Sequence, residues 1–209
     1  LSGHYAVLSV SGVRLQPYVT RYFDTPDFKL YHQHHNGQRD RFKLRIREYL
    51  QTGLVVLEVK RKDPRNRTQK SRLPGISSPL ENPVQVSAFL KASFSLHQEW
   101  MSPSMTNGFY RISLASFDRR ERLTLDLGIR FMSSSSRFSL PGVVVAEVKQ
   151  PCFSQSSFFL QKMRQVGRRP VGFSKYCVGA ALAYPRLKRN AFKPLLSSLQ
   201  HLILQGGTP

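Results

Sequence analysis

The chain has 209 residues, 40% of them hydrophobic, which allows one large domain or two small ones. Lys and Arg number 32 against 12 Asp and Glu, a formal charge of +20 with a pI near 10.7, which points to a polyanionic partner: nucleic acid, anionic lipid or phosphate-rich small molecules. Two cysteines, Cys152 and Cys177, exclude a secreted disulfide framework, and no apolar run reaches the roughly 18 residues of a membrane span, so a reducing, cytoplasmic setting is expected.

No signal peptide is visible, and the chain opens on Leu1 rather than Met, so residues upstream are expected. The segment HYAVLSVSGVRL reads as two short strands around Ser11-Gly12, and YVTRYFD as a third. Asp24-Thr25-Pro26-Asp27 breaks it, with Thr25 or Asp27 placed to cap a short helical turn, FKLYHQHH. His32, His34 and His35 lack the cysteine or carboxylate neighbours of a zinc site, so a solvated helix end is expected there.

Lys43 to Lys62 holds the clearest pattern. Lys43, Arg45 and Arg47 alternate with Phe42, Leu44 and Ile46; then Val56, Glu58, Lys60 and Lys62 alternate with Val55, Leu57 and Val59. Period two marks strands with one apolar face, and the link at Thr52-Gly53 makes them a hairpin. Asp63 to Pro83 reads as a basic, then Ser/Pro-rich loop with a short strand near Thr68 to Arg72. Val84 to Trp100 has the spacing of a helix with one buried face. Phe109 to Leu127 reads as a second hairpin turning at Asp118-Arg119-Arg120, with Arg122, Thr124 and Asp126 opposite Leu123, Leu125 and Leu127. After a Ser-rich link, Val145, Glu147 and Lys149 alternate with Val144, Ala146 and Val148. Helices are expected over Phe153–Val166, in the small-residue segment Cys177–Tyr184, and within Asn190–Gln205.

Four strands therefore share one design, an apolar face and a charged face on which cations outnumber acids. A single such strand is ordinarily the wet side of a sheet. Like charges stacked across strands repel, so four together call for an anion between them. A barrel with inward cations and helix-covered apolar walls would bind a phosphate chain, arginine bidentately and lysine as a point charge. Its acids could hold Mg²⁺ or Mn²⁺ together with phosphate oxygens.

The ordered set KLRIREY, LEVKRK with QKSR, FYR with ERLTLD, VAEVKQ and GFSKYCVG resembles the VTC domain, the catalytic domain of the vacuolar transporter chaperone family of polyphosphate polymerases. That family belongs to the triphosphate tunnel metalloenzymes. YFDTPDFKLY is similar to the segment before the first basic strand of bacterial members. The resemblance spans about Tyr22 to Gly179. It implies an α+β fold with an antiparallel β-barrel tunnel and flanking helices, over residues 1–185, followed by a C-terminal helix and tail at 186–209. It also implies ATP and polyphosphate as partners, no specific nucleic acid, Mn²⁺ or Mg²⁺ as cofactor, and transfer of the ATP γ-phosphate to a growing chain.

By motif, Arg45, Arg47 and Lys60 take the catalytic, phosphate-holding positions; Lys70, set in a loop, and Arg111, Arg122, Ser174 and Lys175 complete the phosphate-binding set; and Glu147 takes the metal. Glu58 and Asp126 are expected to pair with neighbouring cations. The chain departs from the family in two places. A first strand carrying further phosphate contacts is not found, so a barrel open by one strand is expected. Gly172 stands where some members have an extra lysine, with Arg168 and Arg169 as substitutes. Two other readings of the same residues stand beside this one: hydrolysis of tripolyphosphate or a nucleoside triphosphate, and polyphosphate or RNA binding without catalysis.

Overall fold

The computed structural model describes the chain except residues 2, 66, 80, 95–100, 119, 153, 155, 156 and 207–209, and except the side chains of 94, 205 and 206. Among the described residues nine strands, β1 (Tyr5–Leu8), β2 (Leu15–Asp24), β3 (Arg41–Tyr49), β4 (Leu54–Lys62), β5 (Thr68–Pro74), β6 (Ser102–Ser116), β7 (Arg122–Met132), β8 (Arg137–Ser139) and β9 (Val145–Lys149), form one antiparallel sheet. Its order is β5-β4-β3-β2-β6-β7-β8; β1 pairs with the end of β6 and β9 with the start of β7. Among the described residues five α-helices flank it: α1 (Lys29–His35), α2 (Pro83–Phe94), α3 (Phe158–Gln165), α4 (Lys175–Ala183) and α5 (Lys193–Gly206).

The β3–β4 hairpin turns through Gly53, whose φ of 67° is costly for any residue with a Cβ. Its register sets Leu44 against Val59 and Ile46 against Leu57 on one face, and Lys43 against Lys60 and Arg45 against Glu58 on the other. The apolar four pack under Leu30 of α1 and Val86 and Leu90 of α2, each burial contributing about 2 kcal/mol. A second cluster, Tyr5, Leu114 and Leu123 under Phe159 of α3, covers the outer face of β6 and β7.

The third cluster lies on the charged side. Tyr22, Met105, Phe109, Ile129 and Phe131 pack against Tyr176 to Ala181 of α4 and Leu199 of α5, so α4 is buried against the inner face of the sheet. One strand supplies both kinds of inner residue because β7 carries a bulge. Gly128 (φ 59°) shifts the register by one, so Phe131 faces the same side as Asp126 despite the odd spacing. Gly179 permits the close approach of α4: a Cβ there would lie 1.9 Å from Met105 Sδ and 2.6 Å from Phe131 Cδ1.

The sheet is open, in line with the expected barrel lacking a strand: among the described residues no ladder joins β5 to β9. Several other expectations are corrected. Strands do flank Ser11-Gly12, but the second is continuous with the expected third as β2, only a bridge links Val10 and Val13, and β1 pairs with β6. Lys70 lies not in a loop but on β5, the short strand expected near Thr68 to Arg72, because Lys60–Lys62 of β4 extend the ladder through Lys70 to Thr68. The histidines do not form a solvated helix end: His35 is buried, with Ala191 N donating to its Nε2, and His34 Nε2 is 3.0 Å from Phe42 O. Helix α2 is described to Phe94, the rest of the expected helix to Trp100 lying outside the described residues, and α3 begins at Phe158, where Ser157 caps Leu160 N. Thr25 does serve α1, its Oγ1 accepting from Lys29 N, but Asp24 does more, accepting from Leu30 N and Tyr31 N.

Candidate active site

The inner face of β3, β4 and β5 forms one wall. Cross-strand register lines up Arg45, Glu58 and Arg72, and beside them Lys43, Lys60 and Lys70. Glu58 has no solvent exposure and binds three cations: Arg45 Nε at 2.7 Å, Lys70 Nζ at 2.5 Å and Arg72 Nε at 3.1 Å. Burial alone pushes Glu58 up, but Arg45, Arg47 and Lys70 outweigh it and hold the carboxyl at about 2. The lysines show the opposite strain. Burial, reinforced by Lys60, Arg45 and Arg41, pulls Lys43 down to about 8; burial pulls Lys70 to about 8 against the attraction of Glu58. Lys60 is lowered by burial and by Arg45. These are the signs of a cationic face awaiting negative charge.

The second wall comes from β2, β6, β7, β9 and α4. Arg111 makes a bidentate pair with Asp126, at 2.6 and 2.8 Å, and Lys175 binds the same carboxylate. Burial opposes ionisation of Asp126, yet Arg111 and Lys175 keep it below the usual carboxylate range. Lys175 is itself lowered, because burial and the cations Arg111 and Arg47 outweigh Asp126. Tyr18 and Phe109 stack 5.3 Å apart beneath these charges. Arg111 lies 5.5 Å from the Tyr18 ring and 5.3 Å from Phe109, Lys175 lies 4.5 Å from Phe109, and Arg47 lies 5.7 Å from Tyr18. Arg47 also donates a long bond, 3.4 Å, to Thr20 Oγ1.

The sheet curls so that the walls face each other. Lys60 of β4 is within electrostatic range of Glu147 and Lys149 on β9, and Arg111 within range of Glu147. Lys43, Lys60, Lys62 and Arg41 also line a cavity of about 370 Å³ with Ser174 and Cys177 of the α4 entrance, and no carboxylate lines it. A larger cavity, about 600 Å³, lies at the β6–β7 turn beside α3, away from both walls, with Arg120 offset by Asp118 and Glu121.

The groove thus gathers Arg45, Arg47, Lys60 and Lys70 on one wall and Arg111 and Lys175 on the other. Arg122 stands apart, exposed at the far end opposite Lys149. Ser174 is the N-cap of α4, its Oγ accepting from Cys177 N at 3.3 Å. Glu147 is half-exposed, its nearest cation Lys149 at 3.7 Å. Lys43 and Arg72 belong to the groove but are not among the residues the motifs pick out; their parity with Arg45 and Lys70 was the available signal.

Among the described residues no three His, Cys, Asp or Glu converge as a resident metal site. Glu58 and Asp126 are saturated by cations, leaving Glu147 as the carboxylate without a buried partner. Mg²⁺ and Mn²⁺ need only one or two carboxylates when phosphate oxygens supply the rest. The groove fits an ion that arrives with phosphate.

A model of the VTC domain family matches residues 1–184. The chain belongs to the VTC domain family. Among solved structures, a "putative adenylate cyclase" from Bacillus halodurans superposes with a TM-score of 0.53 at 14% identity, over 81% of this chain and 91% of that one. It shows a shared fold alone, an antiparallel sheet with flanking helices. A "putative adenylyl cyclase" from Hippeastrum, described as having a dominant triphosphatase activity, aligns at 13% identity and TM-score 0.47 over 81% and 83% of the two chains; at that score it adds nothing to the argument. No curated protein matches the chain. No described helix is long and apolar enough to cross a membrane.

Proposed function

We propose that this VTC domain binds ATP and a polyphosphate chain in the groove and transfers the γ-phosphate from one to the other. The observation that carries the reading is the convergence of buried cations from both walls on one space where the two buried carboxylates are already neutralised. Phosphoryl transfer suits such a site, because its loose transition state spreads charge over three equatorial oxygens and asks the protein for positioning and positive charge.

In this reading Arg45 and Arg47 grip phosphate oxygens through their planar forks, and Lys60, Lys70, Arg111 and Lys175 add charge around them. Ser174 presents the first turn of α4, whose free N–H groups favour an anion. Arg122 meets the chain at the open end. The terminal oxygen of the acceptor chain attacks the γ-phosphorus as the bond to the β–γ bridging oxygen breaks, and ADP leaves with that electron pair. A terminal phosphate loses its second proton near pH 6, so no side chain has to act as base. Glu147, together with the substrate phosphates, would hold a divalent ion, which would supply neutralising positive charge there.

The test is incubation of the protein with ATP and Mn²⁺, followed by gel analysis for polymer, with Glu147→Gln and Arg45→Ala alongside. Polymer from the wild type and none from either folded variant is expected. Orthophosphate release without chain growth would replace this reading by hydrolysis. Binding without turnover would reduce the domain to a polyanion binder.

A further inference from the structure

Three buried side-chain atoms among the described residues have no hydrogen-bond partner: Nδ2 and Oδ1 of Asn107 and Oγ1 of Thr124. All three belong to the inner face of the sheet. Asn107 is 1% exposed and stands opposite Thr20 on β2 and Phe131 on β7, with Arg47 next in the same row beyond Thr20. Thr124 is 8% exposed and stands opposite Ser113 on β6 and Glu147 on β9. The apolar layers under α2 and α3 hold no such atom among the described residues.

Folded proteins pair nearly all buried polar atoms, with protein or with ordered water, because an unmet group keeps its whole desolvation cost. Polar side chains that could have been apolar, placed where charged neighbours await an anion, mark positions a ligand completes. The chemistry of the atoms says which ligand. The Asn107 amide and the Thr124 hydroxyl donate, and phosphate oxygens only accept. Asn107 Oδ1 accepts, and its natural donors are a groove cation or a water carried with the phosphate.

We propose that Asn107 and Thr124 are phosphate-oxygen-binding residues of the groove floor, Asn107 in the row of Arg47 and Thr124 beside Glu147. This rests on the groove being a phosphate site, as read above. Arg47, bonded to Thr20 beside Asn107, and Lys175, paired with Asp126 two residues from Thr124, are the cations that would turn toward the incoming anion as it reaches these atoms. Thr124 then places a donor one strand from the carboxylate that holds the metal, so a phosphate shared with that ion is fixed from two sides.

The probe is tripolyphosphate without metal, with binding followed by calorimetry and folding by thermal unfolding. Thr124→Val and Asn107→Leu each replace an unpartnered polar group by an apolar one of similar size. Both variants are expected to unfold at or above the wild-type temperature when free, since nothing satisfied is lost. Each is expected to raise the Kd at least about tenfold, equivalent to about 1.4 kcal/mol. Thr124→Ser, which keeps the hydroxyl, should bind as the wild type does. Variants that unfold earlier yet bind equally well overturn the proposal and assign the atoms to structural water; variants that match the wild type in both measurements overturn it as well. Should Asn107→Leu fail to fold, Thr124→Val decides alone. A wild type that does not bind tripolyphosphate at low salt refutes the phosphate site itself, a result separable from the other two.

Discussion

Lys43 and Lys70 make the pH dependence of phosphate binding a sharp test of the groove. Both titrate at about 8 in the free protein, against an ordinary 10.5, because they are buried among other cations. A bound phosphate chain supplies the missing negative charge and returns each toward its ordinary value, so binding takes up protons. Each lysine should then weaken binding about tenfold as pH rises from 7 to 9, or about a hundredfold together. At pH 8 each is half-protonated when free, and the two should take up about one proton per ligand. Calorimetry with tripolyphosphate in two buffers of different ionisation enthalpy measures that uptake directly. The double variant Lys43→Arg/Lys70→Arg, permanently charged, keeps only the titration of the ligand and the other groups, so the difference between the two profiles isolates the lysines, and the variant should show a much flatter profile. Equal slopes in wild type and double variant would refute the reasoning. The sign for stability is opposite. Between about 8 and 10.5 the unfolded chain holds more protons than the folded one, so these two lysines make the free protein more stable as pH rises through that window while its affinity falls.

Three further perturbations follow from the packing. Glu58→Gln removes the carboxylate shared by Arg45, Lys70 and Arg72 and should destabilise the free protein by about 3 kcal/mol; tripolyphosphate, as a replacement anion, should raise its unfolding temperature more than it raises the wild type's. Gly179→Ala forces a methyl into Met105 and Phe131, at an expected cost of about 1–3 kcal/mol in chemical denaturation, with Met105→Ala in the same chain recovering part of it. Asp126→Asn frees Arg111 and Lys175 from their shared partner; circular dichroism should show a folded but less stable protein, and tripolyphosphate should bind with a steeper salt dependence.

Much of the site was legible in the strands because period two is local. Parity alone put Lys43, Arg45 and Arg47 on one face and Leu44 and Ile46 on the other, and the β3–β4 register then needed only the Gly53 turn. The expected pairing of Glu58 and Asp126 with cations followed from the same parity. Where the reading failed, the deciding contact was distant in sequence. β1 reads as one of two short strands around Ser11-Gly12, with no sign of its partner; β6 is long enough to pair with both β2 and β1 and takes it. The histidines look solvated in sequence; the segment after α4 covers them, through the contact of Ala191 with His35.

By itself, then, the sequence determined which residues could share a face, the excess of positive charge on that face, and the ordered motifs of the VTC domain. The tertiary structure decided what those faces enclose. Curling of the sheet brings Lys60 toward Glu147, the bulge at Gly128 turns Phe131 to the inner face, and Gly179 lets α4 settle there. Each depends on strand pairing, twist and close approach between segments far apart in the chain. Parity records only which side of its own strand a residue takes, so the unpartnered atoms of Asn107 and Thr124 had no local sign.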